Sequence, residues 1–267
     1  MIRDITIGQY YPADSPLHKL DPRTKLMGTL VFIISVFLFN TIPGYAVATV
    51  FLAAVIKISK VPVKFIFKGL KAIFIILIIT MVFNVFLTPG EVLWSFGFLK
   101  ATREGISLAG KLAIRLIYLV IGSSLMTLTT TPNQLTDGLE RGLRPLNKIH
   151  VPVHEIAMMM SIALRFIPIL LEETDKIMKA QIARGADFEN GNLVQKVKNM
   201  VPLLVPLFIS AFRRANDLAM AMEARCYHGG DQRTQMKPLH YEKRDHVTYM
   251  ILALYLAVAI GFRVAGI

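Results

Sequence analysis

The sequence is poor in cysteine; Cys226 is the only one. A single thiol excludes an intramolecular disulfide and fits a reducing compartment. The first 20 residues, MIRDITIGQYYPADSPLHKL, contain no apolar run, so no cleavable signal peptide is expected. Acidic residues are also scarce: 18 Asp and Glu stand against 30 Lys and Arg, a formal net charge of +12. Such an excess raises nucleic acid as a partner, but phosphate binding needs an exposed basic cluster. Here much of the excess sits in loops between apolar runs, where retention on one side of a membrane explains it. A catalytic set is missing too. No Ser/His, Cys/His or aspartyl pair is arranged in the apolar runs.

What the sequence has is apolar residues, 54% of the chain, gathered into long and nearly uncharged stretches. A chain of 267 residues can bury a soluble core, so length decides nothing and distribution decides. Uncharged runs near 18 residues read as membrane helices. Five spans are expected, over 26–40, 45–58, 72–87, 106–128 and 247–264. The first two, turned at Thr41-Ile42-Pro43-Gly44, are short and suit a slightly thinned bilayer. Asp21 followed by Pro22 is an N-cap with proline at the first helical position. Lys57, Lys60, Lys64, Lys68 and Lys71 occupy one loop without an acid, which places that loop in the cytoplasm. The loop around Trp94 and Phe96 has balanced charge and reads as the outer side with an aromatic anchor. The N-terminus is then cytoplasmic and the C-terminus outside, in a multi-pass protein of the cell membrane.

Residues 131–245 form a charged block in which no stretch is as long and charge-free as a span. Three helices are expected there. The first covers 132–143, with Thr131 as N-cap and Pro132 at N1. The second covers 153–184. The third covers 193–225, bent near Pro202 and Pro206. The two long ones are apolar in their first halves and charged in their second, as suits helices that begin at a membrane and end in water. The fold class is therefore an all-α membrane protein with long cytoplasmic helices between the fourth and last spans. Its parts are a four-span region (1–130), a cytoplasmic helical region (131–242) and a last span (243–267).

Several motifs carry less than they promise. Gly105-Ile106-Ser107-Leu108-Ala109-Gly110-Lys111 matches a phosphate-loop pattern, but Leu112 stands where Ser or Thr would hold magnesium, and the segment opens a membrane helix. Small residues for close helix packing explain it better. His150 and His154 flank Pro152 and lack the HExxH order, so a turn entering the second long helix is preferred to a zinc site. Glu172-Glu173 resembles the start of a glutamate motif of membrane proteases, but Ile177 stands where that motif has Arg. Lys111 and Arg115 lie inside the fourth span, where charges usually face protein or water. Met158, Met159, Met160, Met178, Met200, Met220 and Met222 enrich the two long helices, either as packing or as a surface adaptable to several partners.

The informative constellation is a near-repeat. Ala183-Arg184-Gly185 ends one long helix and Ala224-Arg225-Cys226 ends the next. Arg suits the negative end of a helix dipole, and Gly185 can take the left-handed cap. Small alanines let such an end enter a groove, where a guanidinium offers planar hydrogen bonds. Two copies on consecutive helices favour recognition over plain capping.

On these residues, supported by Leu20-Asp21-Pro22-Arg23-Thr24-Lys25, the chain resembles the transmembrane T component of energy-coupling factor transporters, ABC-type importers of vitamins and transition-metal ions. The resemblance covers nearly the whole length. One departure is Cys226, which stands where the family pattern usually has Gly; Gly229-Gly230 is then an alternative source of the turn. The resemblance implies that Ala183, Arg184, Gly185, Ala224, Arg225 and Cys226 bind two cytoplasmic ATPase subunits. It implies a separate substrate-binding membrane subunit, or several interchangeable ones. ATP would be bound by the partners, with no cofactor or metal on this chain and no catalysis by it. The competing reading is a stand-alone channel or secondary transporter, motivated by Lys111 and Arg115; a membrane enzyme is disfavoured by the missing catalytic set.

Overall fold

A computed structural model of the protein describes residues 10–39, 41–96, 99–186, 188, 193–229 and 238–264. The helices, in chain order, are α1 (Pro22–Leu38), α2 (Ile42–Ser59), α3 (Val63–Leu87), α4 (Arg103–Thr129), α5 (Pro132–Leu143), α6 (Val153–Ala183), α7 (Leu193–Ala224) and α8 (Lys243–Val264). An antiparallel hairpin, β1 (Val92–Phe96) and β2 (Leu99–Thr102), joins α3 to α4, and a 3-10 helix over Arg144–Ile149 joins α5 to α6. The hairpin was not expected in what reads as an irregular loop. The anchoring role expected of Trp94 and Phe96 concerns side chains outside those described.

Local chemistry sets the helix starts. The Asp21 side chain accepts the Arg23 backbone N–H at 2.9 Å, and Pro22 occupies the first position of α1. Thr131 and Gln134 form a reciprocal capping box at α5: the Gln134 N–H donates to Thr131 Oγ1 (3.3 Å) and the Thr131 N–H to Gln134 Oε1 (3.2 Å). Thr102 Oγ1 accepts the Gly105 N–H at 3.1 Å and opens α4 three residues before the expected start.

The membrane-crossing inventory differs from the sequence expectation in two places. By length and composition, α2, α4, α6 and α8 can each cross a membrane, and α3 makes a fifth if its halves, Val63–Lys71 and Ile73–Leu87, form one span bent by 57°. Helix α1 has only 17 residues and falls short of that test. Helix α6, with 31 residues, is long and apolar enough to cross, although 131–245 was expected to hold no span. A search for charge-free stretches overlooks α6 because Glu155 and Arg165 interrupt an otherwise apolar run.

By contacts the chain divides into two units. Of the described residues, one comprises those of 10–138 with 239–264, the other those of 139–238. In the first, α4 is the central helix, packed by α1, α2 and α3, while α8 packs on α1. Phe32, Val36, Phe39, Tyr45, Leu125 and Tyr255 are core residues there. The Phe51 and Tyr255 rings stack at 4.2 Å, and the Tyr255 hydroxyl shares a 2.8 Å hydrogen bond with Ser35 Oγ. A buried phenol without that partner would be costly. Close approach of α4 to α1 requires Gly122, since a Cβ there would lie 2.8 Å from the Phe32 ring. The outward faces stay apolar, with Leu30 and Phe37 of α1 and Ile75 and Phe83 of α3 all exposed, as expected where lipid is the solvent.

In the second unit, α6 and α7 pack together. Gln181 Nε2 donates to the Pro202 carbonyl (3.2 Å), and Arg214 Nη2 pairs with Glu173 Oε2 (3.2 Å). These contacts pair a later residue of α6 with an earlier one of α7, so the helices run antiparallel. Pro202 and Pro206 lie inside a continuous α7.

Candidate functional site

The two Arg-bearing helix ends close in the same way. At the end of α6, Gly185 N–H donates to Ile182 O (2.9 Å) and Ala186 N–H to Gln181 O (3.0 Å). At the end of α7, Cys226 N–H donates to Glu223 O (2.8 Å) and Tyr227 N–H to Met222 O (3.0 Å). Each pair is a Schellman closure, with 5→2 and 6→1 bonds around one left-handed residue. That residue is Gly185 (φ 87°) in one and Cys226 (φ 56°) in the other. The turn expected from Gly229-Gly230 is therefore made by Cys226 itself; Gly229 has a positive φ of its own further on, and Gly230 lies outside the described residues. A side chain at positive φ costs about 1–2 kcal/mol, so α7 ends with strain that α6 avoids.

Ala183, Arg184, Gly185, Ala224, Arg225 and Cys226 are all exposed. Among the described residues, neither the Arg184 nor the Arg225 side chain makes a hydrogen bond or ion pair. Each sits at the negative pole of its own helix, where carbonyls not used by the cap remain. The antiparallel packing sets them apart. Gln181, one turn before Arg184, touches Pro202, while Arg225 lies 23 residues beyond Pro202. At 1.5 Å per residue the two arginines are separated by on the order of 35 Å along α7. One small ligand cannot engage both; two separate receptors can.

The other sequence motifs resolve into structural roles. Gly105 packs against the Asn84 and Val85 carbonyls, where a Cβ would come within 2.8 Å, so acceptors rather than phosphate-binding donors face it. His150 occupies a left-handed turn (φ 60°), whereas His154 Nδ1 pairs with Glu140 Oε1 at 2.8 Å. Among the described residues no group of three or more His, Cys, Asp and Glu is placed to hold a metal. Glu173 is spent on Arg214. Arg115 Nη2 donates to the Phe39 carbonyl (3.1 Å), the C-cap of α1, and reaches the Tyr45 hydroxyl at 3.5 Å. It neutralises a helix end inside the packed body. Lys111 lines an open groove with Glu91, Arg103 and Glu104.

Sequence reasoning missed a buried polar knot in the first unit. Asp245, 1% exposed, accepts the backbone N–H of Asp21 (2.9 Å) and of Glu242 (2.9 Å). Lys25, 7% exposed, donates from Nζ to the carbonyls of His18 (3.0 Å) and Thr129 (2.9 Å), the latter at the end of α4. Arg23 grips Asp21 with two hydrogen bonds (3.0 and 2.9 Å) and lies 3.9 Å over the Tyr241 ring. Burial, then a hydrogen bond with Tyr249 that favours the protonated phenol, pushes Tyr241 up to about 12, so its ring stays a neutral platform for the cation. Pro22 abuts Gly138, where a Cβ would stand 2.9 Å away. The run Asp21-Pro22-Arg23-Thr24-Lys25 thus ties together the start of α1, the end of α4, the middle of α5 and the start of α8. Only the local cap was visible in sequence, because the Asp21–Asp245 partners are 224 residues apart.

Residues 13–236 match the family model CbiQ, described as a cobalt transport protein. The chain is 56% identical to the energy-coupling factor transporter transmembrane protein EcfT of Clostridium kluyveri, over 99% of this chain and 98% of that one. It is 56% identical to the EcfT of Ruminiclostridium cellulolyticum, covering 96% of each. With the EcfT of Bacillus subtilis the identity is 46% over 98% of each chain.

Proposed function

The chain belongs to the EcfT family of energy-coupling factor transporter transmembrane proteins, and from that membership we propose that it transmits ATP-driven motion from two ATPase subunits to a substrate-binding membrane subunit. The observation that carries this reading is the pair of matching, exposed arginine ends on antiparallel helices. Each end offers a guanidinium that has no partner among the described residues. Each is held by a cap made of backbone bonds, so the side chain is free for recognition. Their separation suits two copies of one receptor. ATP closure of the paired ATPases would change the distance between their two grooves and so swing α6 against α7.

The exposed apolar side chains of the pair support a membrane partner. Met159, Met160 and Ile167 on α6, and Val205, Phe208 and Phe212 on α7, are all exposed. Buried against a membrane subunit, they would carry the swing to it. The cargo, a vitamin or a transition-metal ion, would be chosen by that subunit, and methionine at the surface suits several interchangeable partners. ATP stays with the ATPases, and this chain supplies no catalytic group, cofactor or metal. In this reading 131–242 is the coupling region between the membrane parts 1–130 and 243–267. The N-terminus is cytoplasmic and the C-terminus outside, because the basic loops then share one side.

The test is Arg184→Glu combined with Arg225→Glu. Reversing a desolvated charge contact costs roughly 2–5 kcal/mol, enough to release the ATPases from the complex during purification. Full co-purification together with full uptake would sink the proposal. The channel reading loses its motive at Arg115, which is bound to the Phe39 carbonyl. Solute flux through the reconstituted chain alone would revive it.

A further inference from the structure

Residues 22–90 contain no Asp or Glu. Within that stretch, the first nine residues of α3, Val63–Lys71, are bent by 57° from Ile73–Leu87. Lys64, Lys68 and Lys71 stand at i, i+4 and i+7, which places them on one helical face. All three are exposed, and among the described residues none has an ion pair or hydrogen bond. The rotation of the segment is fixed by its other face. Ile66, 2% exposed, belongs to the core of the first unit, and a Cβ at Gly69 would lie 2.8 Å from Ser124 Oγ. Beside the lysine face, Val63 and Phe67 project exposed apolar side chains, Phe67 at 62% exposure.

Like charges at these spacings work against the helix. The row stands on an anchored segment that cannot rotate it away, so a counter-charge from outside the chain fits it. The partner must be anionic at the lysine tips and apolar within one side-chain length, where Val63 and Phe67 enter. A lipid headgroup region has that profile; a soluble acidic protein surface does not. The residues are lysines throughout, compact cations that bind phosphate as point charges without the planar demand of arginine.

We propose that Val63–Lys71 is a lipid-binding elbow that lies along the membrane interface and holds the phosphates of anionic phospholipids with Lys64, Lys68 and Lys71. Its assignment to the cytoplasmic leaflet rests on the loop placement proposed above; the lipid binding does not. The 57° bend turns the basic segment away from the line of the apolar Ile73–Leu87.

The experiment uses the full transporter complex in nanodiscs of phosphatidylcholine with or without phosphatidylglycerol, reading retained lipids by native mass spectrometry. Wild type is expected to retain phosphatidylglycerol preferentially. Lys64→Gln, Lys68→Gln and Lys71→Gln together should lower its apparent affinity by about fivefold per lysine, on the order of a hundredfold in all. The three Lys→Arg replacements should retain it. Unchanged melting in pure phosphatidylcholine shows the glutamine variant to be folded, and the single Lys68→Gln variant reads one step if the triple does not fold. Equal retention by wild type and the folded glutamine variants would overturn the proposal. So would loss of the ATPase subunits with phosphatidylglycerol retention unchanged, which would assign the lysines to a protein contact. The leaflet is read separately, by labelling Lys68→Cys in a Cys226→Ser background with an impermeant maleimide on whole cells. Labelling from outside would overturn the cytoplasmic placement while leaving the lipid binding standing.

Discussion

Replacing Asp245 by alanine probes the polar knot at its most buried point. The carboxylate accepts two backbone N–H groups at 2.9 Å, and its residue is 1% exposed. Hydrogen bonds to a charged group contribute about 1.5–3 kcal/mol, and a buried donor left alone bears the desolvation cost. The Asp21 N–H is buried and would be orphaned, whereas Glu242 is exposed and its N–H can be rehydrated. The sum is about 2–4 kcal/mol. For a chain of this size each kcal/mol moves the melting temperature by about 2–4 °C, so Asp245→Ala should melt roughly 5–15 °C below wild type. The assay is thermal unfolding of the purified chain in detergent, followed by intrinsic fluorescence. Asp245→Asn keeps one acceptor oxygen and should lose about half as much. Arg244→Ala, which removes a mostly exposed pair with Glu242 at 3.1 Å, should change little. If Asp245→Ala melts with wild type, the knot does not hold the body together and the reasoning fails.

Other perturbations follow from the same geometry. Cys226→Gly should raise the stability of the α7 end by about 1 kcal/mol by relieving the left-handed strain, seen as slower amide exchange at 222–227 with ATPase binding retained; faster exchange would contradict the cap assignment. Gly185→Val should do the opposite at α6 and weaken ATPase co-purification, since a β-branched residue resists φ 87°; undiminished assembly would count against the cap's role. Arg115→Met should destabilise the α1–α2 corner by about 1–3 kcal/mol through the uncapped Phe39 carbonyl, measured by unfolding; a neutral result would return Arg115 to the list of pathway residues. Acidification should loosen the segment before α1. Burial holds the His18 imidazole below its ordinary value, ahead of an opposing hydrogen bond to Tyr11 O. A depressed folded value means the contribution is present above about pH 6.5 and is lost as pH falls through the folded value. Amide exchange across 10–20 should therefore quicken below pH 6 in wild type and much less in His18→Gln.

The parts of the fold that were legible in sequence are those written in neighbouring residues. Asp21-Pro22 and Thr131-Pro132 announce helix starts through neighbouring residues, and α1 and α5 begin there; the Gln134 half of the α5 cap emerged only in the structure. The ends at Arg184 and Arg225 were legible for the same reason: the closure needs only six consecutive residues. Helix α6 as a membrane-length helix was not legible to a reading based on charge, because Glu155 and Arg165 mask its hydropathy. The β1–β2 hairpin was missed because strands of 5 and 4 residues leave too short a pattern to separate from a loop. Lys25 illustrates the remaining limit. In sequence it is one more positive charge before an apolar run, whereas in the structure it is a buried donor to Thr129, 104 residues away. No local pattern encodes that pairing.

The knot also bears on how such a chain can be taken apart and rebuilt. Residues 139–238 leave the first unit just after Gly138, which abuts Pro22, and rejoin it ahead of Tyr241 and Asp245, which meet Arg23 and Asp21. Exit and re-entry therefore sit on the first turn of one helix, within about a helix diameter of each other. In topological terms the stretch is a cassette inserted between two adjacent sockets. Contacts within the body itself bring those two points together, so closing the gap with a short flexible linker asks little entropy of the chain. A body made in this way, or one carrying the equivalent cassette of a relative, would show which unit carries the partner binding proposed above.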